Sequence, residues 1–232
     1  MRIGILGGSF NPVHNEHVAI AKYVKDELRL DKILILPNGL PPHKNTCQIS
    51  FDDRVRMLQA VFDNSIFEIS ELEKDESVKH YSFNTLTMLN EIYPHDKLYF
   101  CMGMDSLNYL DKWFKGLELI KLTNLVVVGR DGYSLDDNNA PVNDFLQENQ
   151  LSYLQSDFQE RIFDTKNYCI LLKKCFKGVS SSKIRTEFFN FYQKYGLDAN
   201  IFEHLNEFKY VRDYLDPKVI AYIQSKKLYN TI

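Results

Sequence analysis

Short apolar runs alternate along the chain with longer stretches in which apolar residues recur every three or four positions. The first run, Arg2-Ile3-Gly4-Ile5-Leu6, stops at the paired glycines Gly7 and Gly8. Beyond them Ile20, Tyr23, Val24 and Leu28 fall at helical spacing, which predicts a strand, a tight loop and a helix. Further strands are predicted over 32–36, 67–70, 98–102, 125–128 and 168–172, with helix-period stretches between most of them. This βαβ alternation implies an α/β fold with a mainly parallel sheet, helices on both faces, and ligands outside the carboxyl ends of the strands. The Asp- and Asn-rich stretch 131–144 reads as a loop and 145–161 as a helix. After Gly178 the pattern is helical to the end. Phe188, Phe189, Phe191 and Tyr192 crowd one segment there and Val219, Ile220, Tyr222 and Ile223 another, so this tail is expected to pack on the sheet or on a second subunit, which leaves a homodimer open.

At 232 residues the chain is long enough for one good core, with a main domain over 1–178 and a helical region over 179–232. A net charge of −3 provides no basic field for nucleic acid or a membrane surface, so the expected ligand is small. Cys47, Cys101, Cys169 and Cys175 form no CxxC pair, which argues against a zinc site. With no signal peptide or long apolar span, reduced thiols in a cytoplasmic protein are expected.

Two segments carry the candidate chemistry. In Gly7 to His17, GGSFNPVHNEH, two glycines let the backbone approach a ligand, and the following helix directs free N–H groups and its positive end to the same place. His14 and His17, three apart, share one face from which ring N–H groups reach phosphoryl oxygens. The spacing is that of neither a Walker loop nor GxGxxG. The second segment is Val179 to Arg185, VSSSKIR. A helix cap needs one serine, whereas three serines followed by Lys183 and Arg185 make a second anion site.

The first segment resembles the GG[ST]F[DN]PxHxGH signature of the nucleotidyltransferase superfamily, whose HxGH element is shared with class I aminoacyl-tRNA synthetases. The glycine of that pattern between the histidines is Glu16 here. The second resembles the superfamily's ISSTxIR element, with Ser182 where threonine is usual. Pro41-Pro42-His43-Lys44 is similar to the PPHK segment of bacterial nicotinate mononucleotide adenylyltransferases, and His80 to Leu86 to their SYTxxTL, with His80 for serine and Ser82 for threonine. Gly103-Met104-Asp105 is similar to their GxD, Arg130-Asp131-Gly132-Tyr133 to their RxGY, and the closing LDPKVIAYIQSKKLY to their terminal helix. Between Arg185 and Leu215 the chain is longer than typical members.

The resemblance implies a Rossmann-like parallel sheet flanked by helices, with a small C-terminal helical region that completes an ATP site. The implied reaction is adenylyl transfer from ATP to nicotinate mononucleotide, forming deamido-NAD and pyrophosphate in NAD biosynthesis. It gives catalytic roles to His14, His17 and Arg185, and ATP contacts to Gly7, Gly8, Ser9, Phe10, Gly103, Asp105, Ser181 and Ser182. It gives mononucleotide contacts to Asn11, Lys44, Thr85, Trp113, Phe114 and Arg130, with Thr85 near the acidic substituent of the pyridine ring and Trp113 stacked on it. Mg2+ is expected on the ATP phosphates, without a protein ligand. Nicotinamide mononucleotide as acceptor, phosphopantetheine or cytidylyl transfer, and an ATP-binding sensor without turnover stay open at this point.

Overall fold

A computed structural model describes residues 1–39, 49–62, 65–152, 155, 157–162 and 166–231. Its strands are β1 (Arg2–Gly8), β2 (Lys32–Pro37), β3 (Phe67–Ile69), β4 (Lys97–Gly103), β5 (Asn124–Arg130), β6 (Gln150–Ser152) and β7 (Cys169–Phe176). All pair in parallel in one sheet of order β3-β2-β1-β4-β5-β7-β6. The helices are α1 (Asn15–Glu27), α2 (Phe51–Val61), α3 (Ser82–Ile92), α4 (Met104–Leu107), α5 (Ala140–Asn149), α6 (Phe158–Arg161), α7 (Ser181–Tyr195), α8 (Lys209–Tyr214) and α9 (Pro217–Ser225).

Strand alternation sorts the apolar side chains into two cores. On one face Ile33, Ile35, Tyr99, Cys101, Val126 and Ile170 meet Val24 of α1 and its C-cap Leu28, Met57 and Leu58 of α2, Phe188 and Phe191 of α7, and Ile220 of α9. On the other, Ile3, Ile5, Leu34, Phe100 and Val127 meet Leu86 and Leu89 of α3, Leu107 of α4 and Phe145 of α5. Phe188 and Phe191 are 0% exposed. Burial of each such ring contributes about 1.5–3 kcal/mol, which makes the C-terminal helices part of the sheet's own core. The tail thus packs on its own sheet.

The stretch expected to be one helix over 145–161 is instead three elements. Asn139 caps Val142 N–H through its side chain and Pro141 occupies the first turn, so α5 begins within the polar stretch read as a loop. The helix ends at Asn149 because Gln150–Ser152 pair with β7, Leu151 opposite Ile170, and only then does the short α6 follow. Edge pairing overrides the local helical pattern.

The chain runs outward from β1 through β2 to β3, then returns to lay β4 on the other side of β1. The strand order reverses between β1 and β4, which opens a crevice at their carboxyl ends, where Gly8 and Gly103 lie.

Candidate active site

The crevice holds a cavity of about 550 Å³, lined by Gly7, Gly8, Ser9, His14 and His17 from the first segment, by Gly103 and Asp105 after β4, and by Thr85, Trp113 and Arg130. His14 is the N-cap of α1, in extended conformation, and its carbonyl already accepts the N–H of His17 and Val18. His17, in the first turn, accepts the backbone N–H of His14 at Nδ1, 3.2 Å away. The two rings are stacked, with centroids 3.6 Å apart. Phe10 is buried, at φ 45°, and packs its ring edge-on against His17 at 4.9 Å. Phe10 thus supports the imidazole from behind, and its ring is not among the cavity-lining groups.

Burial, followed by the Arg130 charge, holds the His14 imidazole down to about pKa 3. Burial, then His14 and Arg130, hold His17 well below its ordinary value. Both rings are neutral at pH 7. Neutral His17 with Nδ1 as acceptor carries its hydrogen on Nε2. His14 Nδ1 is buried without a hydrogen-bond partner among the described residues.

The second segment comes from the far end of the chain and docks onto the first. Ser180 caps α7 by accepting Lys183 N–H, Ser181 Oγ donates to Pro12 O at 3.2 Å, and Arg185 donates to Asn11 O at 2.7 Å and to Ser182 Oγ at 2.9 Å. Burial lowers the Arg185 pKa from its ordinary value, and the guanidinium remains a cation at neutral pH. Asn11 Oδ1 accepts Tyr229 Oη–H at 2.8 Å. Asn11 therefore ties both Arg185 and the C-terminal stretch to the loop after β1, outside the cavity lining.

Asp105 follows Gly103, whose missing Cβ leaves room for Asp105 Oδ1 as this carboxylate turns back over the end of β4. Arg130, the last residue of β5, pairs with Asp105 Oδ2 at 3.4 Å and donates to Val179 O at 3.5 Å. That position bridges the Asp105 side of the cleft to the loop before α7. At the other end of the cleft Trp113 is half-buried, while Phe114 is exposed and packs against Tyr81 at 5.1 Å. Thr85 is buried. Its hydroxyl donates to Glu73 Oε1 at 2.6 Å, so its single hydrogen is directed at a protein carboxylate. The Pro41 to Lys44 segment lies outside the described residues.

Three groups at the site have partners that the linear pattern of motifs does not give. Glu73, also buried, accepts Gly39 N–H at 3.0 Å besides Thr85 and lines the cavity. Arg54, 2% exposed, donates to Ser9 O and Asn38 O and pairs with Glu76, pinning the loops after β1 and β2 together. Charged residues in 51–58 read by default as the wet face of an amphipathic helix, but Phe51, Arg54, Val55 and Leu58 share one helical stripe, and the structure puts Arg54 on the apolar face of α2. Glu16 lines the same cavity as the histidines, and its carboxylate accepts the backbone N–H groups of Gly178 and Val179. Among the described residues no group of three or more His, Cys, Asp or Glu is placed to hold a metal ion, and no helix is long and apolar enough to cross a membrane.

Residues 5–187 match the family described as cytidylyltransferase-like. A protein of Syntrophotalea carbinolica named "Probable nicotinate-nucleotide adenylyltransferase" is 40% identical over 187 residues, 80% of this chain and 85% of the relative. A protein of Shewanella woodyi with the same name is 34% identical over 236 residues, covering all of both chains. The solved structure of Plasmodium falciparum nicotinic acid mononucleotide adenylyltransferase complexed with NaAD superposes with a TM-score of 0.70 at 20% identity, over 99% of this chain and 97% of that one. That likeness extends to the fold, including the C-terminal helices. With the family match spanning most of the chain, and a relative at this identity spanning all of it, the chain belongs to the cytidylyltransferase-like family and, within it, to the nicotinate-nucleotide adenylyltransferases.

Proposed function

We propose that the chain transfers the adenylyl group of ATP to nicotinate mononucleotide, giving nicotinate adenine dinucleotide and pyrophosphate in NAD biosynthesis. The observation that supports this reading is the docking of Ser181 and Arg185 onto Pro12 and Asn11, which brings two anion-directed segments together, outside the lining of the cavity that His14, His17, Trp113 and Thr85 share. One side of such a cleft suits a polyphosphate and the other an aromatic base.

The reaction asks no side chain to act as nucleophile. The acceptor phosphate is already ionised at neutral pH; one of its oxygens bonds to the α-phosphorus as the bond from that phosphorus to the pyrophosphate oxygen breaks. The protein's part is to hold attacker and leaving group in line and to meet the charge that appears on pyrophosphate. His17 Nε2–H is available as a donor because Nδ1 is engaged, and Arg185 and Ser182 supply charge and a hydroxyl from α7. Asp105, with Arg130 beside it, is the group on the adenylate side. Magnesium, bound mainly through ATP oxygens, would neutralise phosphate charge; the carboxylates that line the cavity, Glu16, Glu73 and Asp105, are engaged by protein partners, and among the described residues no group of three or more His, Cys, Asp or Glu is placed to hold the ion.

The acceptor panel is the test. The purified chain, ATP and magnesium are incubated with nicotinate mononucleotide, nicotinamide mononucleotide or phosphopantetheine, and pyrophosphate and product are measured. Nicotinate mononucleotide is expected to support by far the fastest release, in a cytoplasmic enzyme with reduced thiols. Pyrophosphate with phosphopantetheine alone, or ATP binding without product from any acceptor, would overturn the reading.

A further inference from the structure

Glu16 stands between His14 and His17, where the signature has glycine, and lines the same cavity, yet both its carboxylate oxygens are engaged by the loop ahead of α7. Oε1 accepts the N–H of Gly178 at 3.1 Å and Oε2 that of Val179 at 2.8 Å, across more than 160 residues of chain. Gly178 sits at φ 75°, a left-handed conformation suited to glycine, so this turn into α7 has a specific shape to be held. The next N–H in line, that of Ser180, donates to Tyr210 Oη at 2.8 Å, and Tyr210 belongs to α8 in the stretch that is longer than in typical members. Three successive backbone donors ahead of α7 are therefore all held by protein oxygens.

What these bonds hold is the placement of α7 against the phosphate loop. Val179 O receives Arg130, Ser181 reaches Pro12, and Arg185 reaches Asn11. Each of these contacts depends on the angle at which the chain leaves β7 and enters α7. A carboxylate accepting two N–H groups makes charge-assisted bonds, and its negative charge lies near the positive end of a 15-residue helix. A lost anchor here would let Ser182 and Arg185 move relative to His14 and His17 without opening either core.

We propose that Glu16 is a positioning residue that locks the entry of α7 so that Ser181 to Arg185 face the phosphate chain of ATP, with Tyr210 as a second strap from the long C-terminal stretch. This rests on the ATP site described under the proposed function. The role differs from that of a general fold contact, because it predicts a loss confined to one substrate.

The test compares wild type with Glu16→Ala, Glu16→Gln and Tyr210→Phe, measuring ATP affinity and nicotinate mononucleotide affinity separately by calorimetry, together with kcat, both KM values and the melting temperature. Misplacing the α7 donors should weaken ATP binding about 10- to 100-fold in Glu16→Ala and leave mononucleotide affinity within about twofold, with Glu16→Gln intermediate because one oxygen remains to accept. Tyr210→Phe should shift ATP affinity in the same direction by less. ATP affinity unchanged or tighter in Glu16→Ala would overturn the proposal, the second result making Glu16 a competitor of phosphate. Equal loss of both affinities along with the melting temperature would also overturn it, as a general structural role. Should Glu16→Ala not fold, the ATP-specific loss in Glu16→Gln decides. A wild-type chain that binds ATP but releases no pyrophosphate would refute the proposed reaction, while the order of ATP affinities would still decide the role of Glu16.

Discussion

His17 accepts the backbone N–H of His14 at Nδ1, and this one bond, 3.2 Å long, determines which ring nitrogen can serve a phosphate. With Nδ1 engaged as an acceptor, the neutral ring keeps its hydrogen on Nε2. Nitrogen NMR of the histidine rings at pH 7 should show His17 as the Nε2–H form. Removing this donor in His17→Ala should lower turnover by about a hundred- to a thousandfold, the usual effect of losing one group that meets developing charge, with the fold intact. Turnover near that of wild type would remove His17 from the mechanism.

The neutral histidines make stability depend on pH. Burial and Arg130 take His14 from 6.5 down to about 3, and His17 is lowered as well. Between those values the unfolded chain binds protons on these rings that the folded protein does not. The stability gained by keeping them neutral is therefore complete above about pH 6.5 and is lost as pH falls toward 3. Urea denaturation between about pH 6.5 and 5, above most carboxylate titration, should show a shallower fall in stability for His14→Asn than for wild type. Identical slopes would show that His14 titrates normally in the folded protein.

Arg54 joins the loops after β1 and β2 from a fully buried position, with Glu76 as its charge partner. Arg54→Met fills much of the same space but leaves Ser9 O, Asn38 O and Glu76 without their donor. Denaturant unfolding should show a loss of about 1–3 kcal/mol, the usual effect of leaving buried acceptors without a donor, since the Glu76 side chain is itself 34% exposed. A loss below about 1 kcal/mol would mean that these loops are held by other contacts.

Trp113, half-buried and lining the same cavity as Thr85, is the aromatic face we propose for the pyridine ring. Stacking of a base on such a ring is worth about 1–3 kcal/mol. Trp113→Ala should therefore raise the KM for nicotinate mononucleotide by roughly 5- to 100-fold and leave that for ATP nearly unchanged. Equal changes in both constants would place Trp113 in the core rather than at the acceptor.

The buried strands were readable because their apolar runs are unbroken and end in glycine or polar turns, as at Gly7-Gly8 and Gly103. β6 was not. Its three residues, Gln150–Ser152, have no strand pattern of their own and exist through pairing with β7 at the sheet edge. The start of α5 was hidden for a related reason, since Asn139 is equally at home in a loop and as a cap. At the site, residues whose proposed part lies in their own side chain announce themselves by type and spacing, as His14 and His17 do. Residues that act through another part of the chain do not: Glu16 acquires its partners only when Gly178 and Val179 fold against α1, and Glu73 is defined by Thr85 and Gly39. Arg54 lies between, because its place in the stripe of Phe51, Val55 and Leu58 is visible in the spacing, while a charged residue there reads by default as the wet face of the helix.

An adenylyl group, and not a terminal phosphoryl group, passes from ATP to the acceptor. The most direct measurement follows phosphorus labels in ATP during turnover with nicotinate mononucleotide. The label from the α position should appear in the dinucleotide and that from the γ position in pyrophosphate, in equal amounts. The γ label on the mononucleotide or in orthophosphate, with no α label in a dinucleotide, would contradict the account.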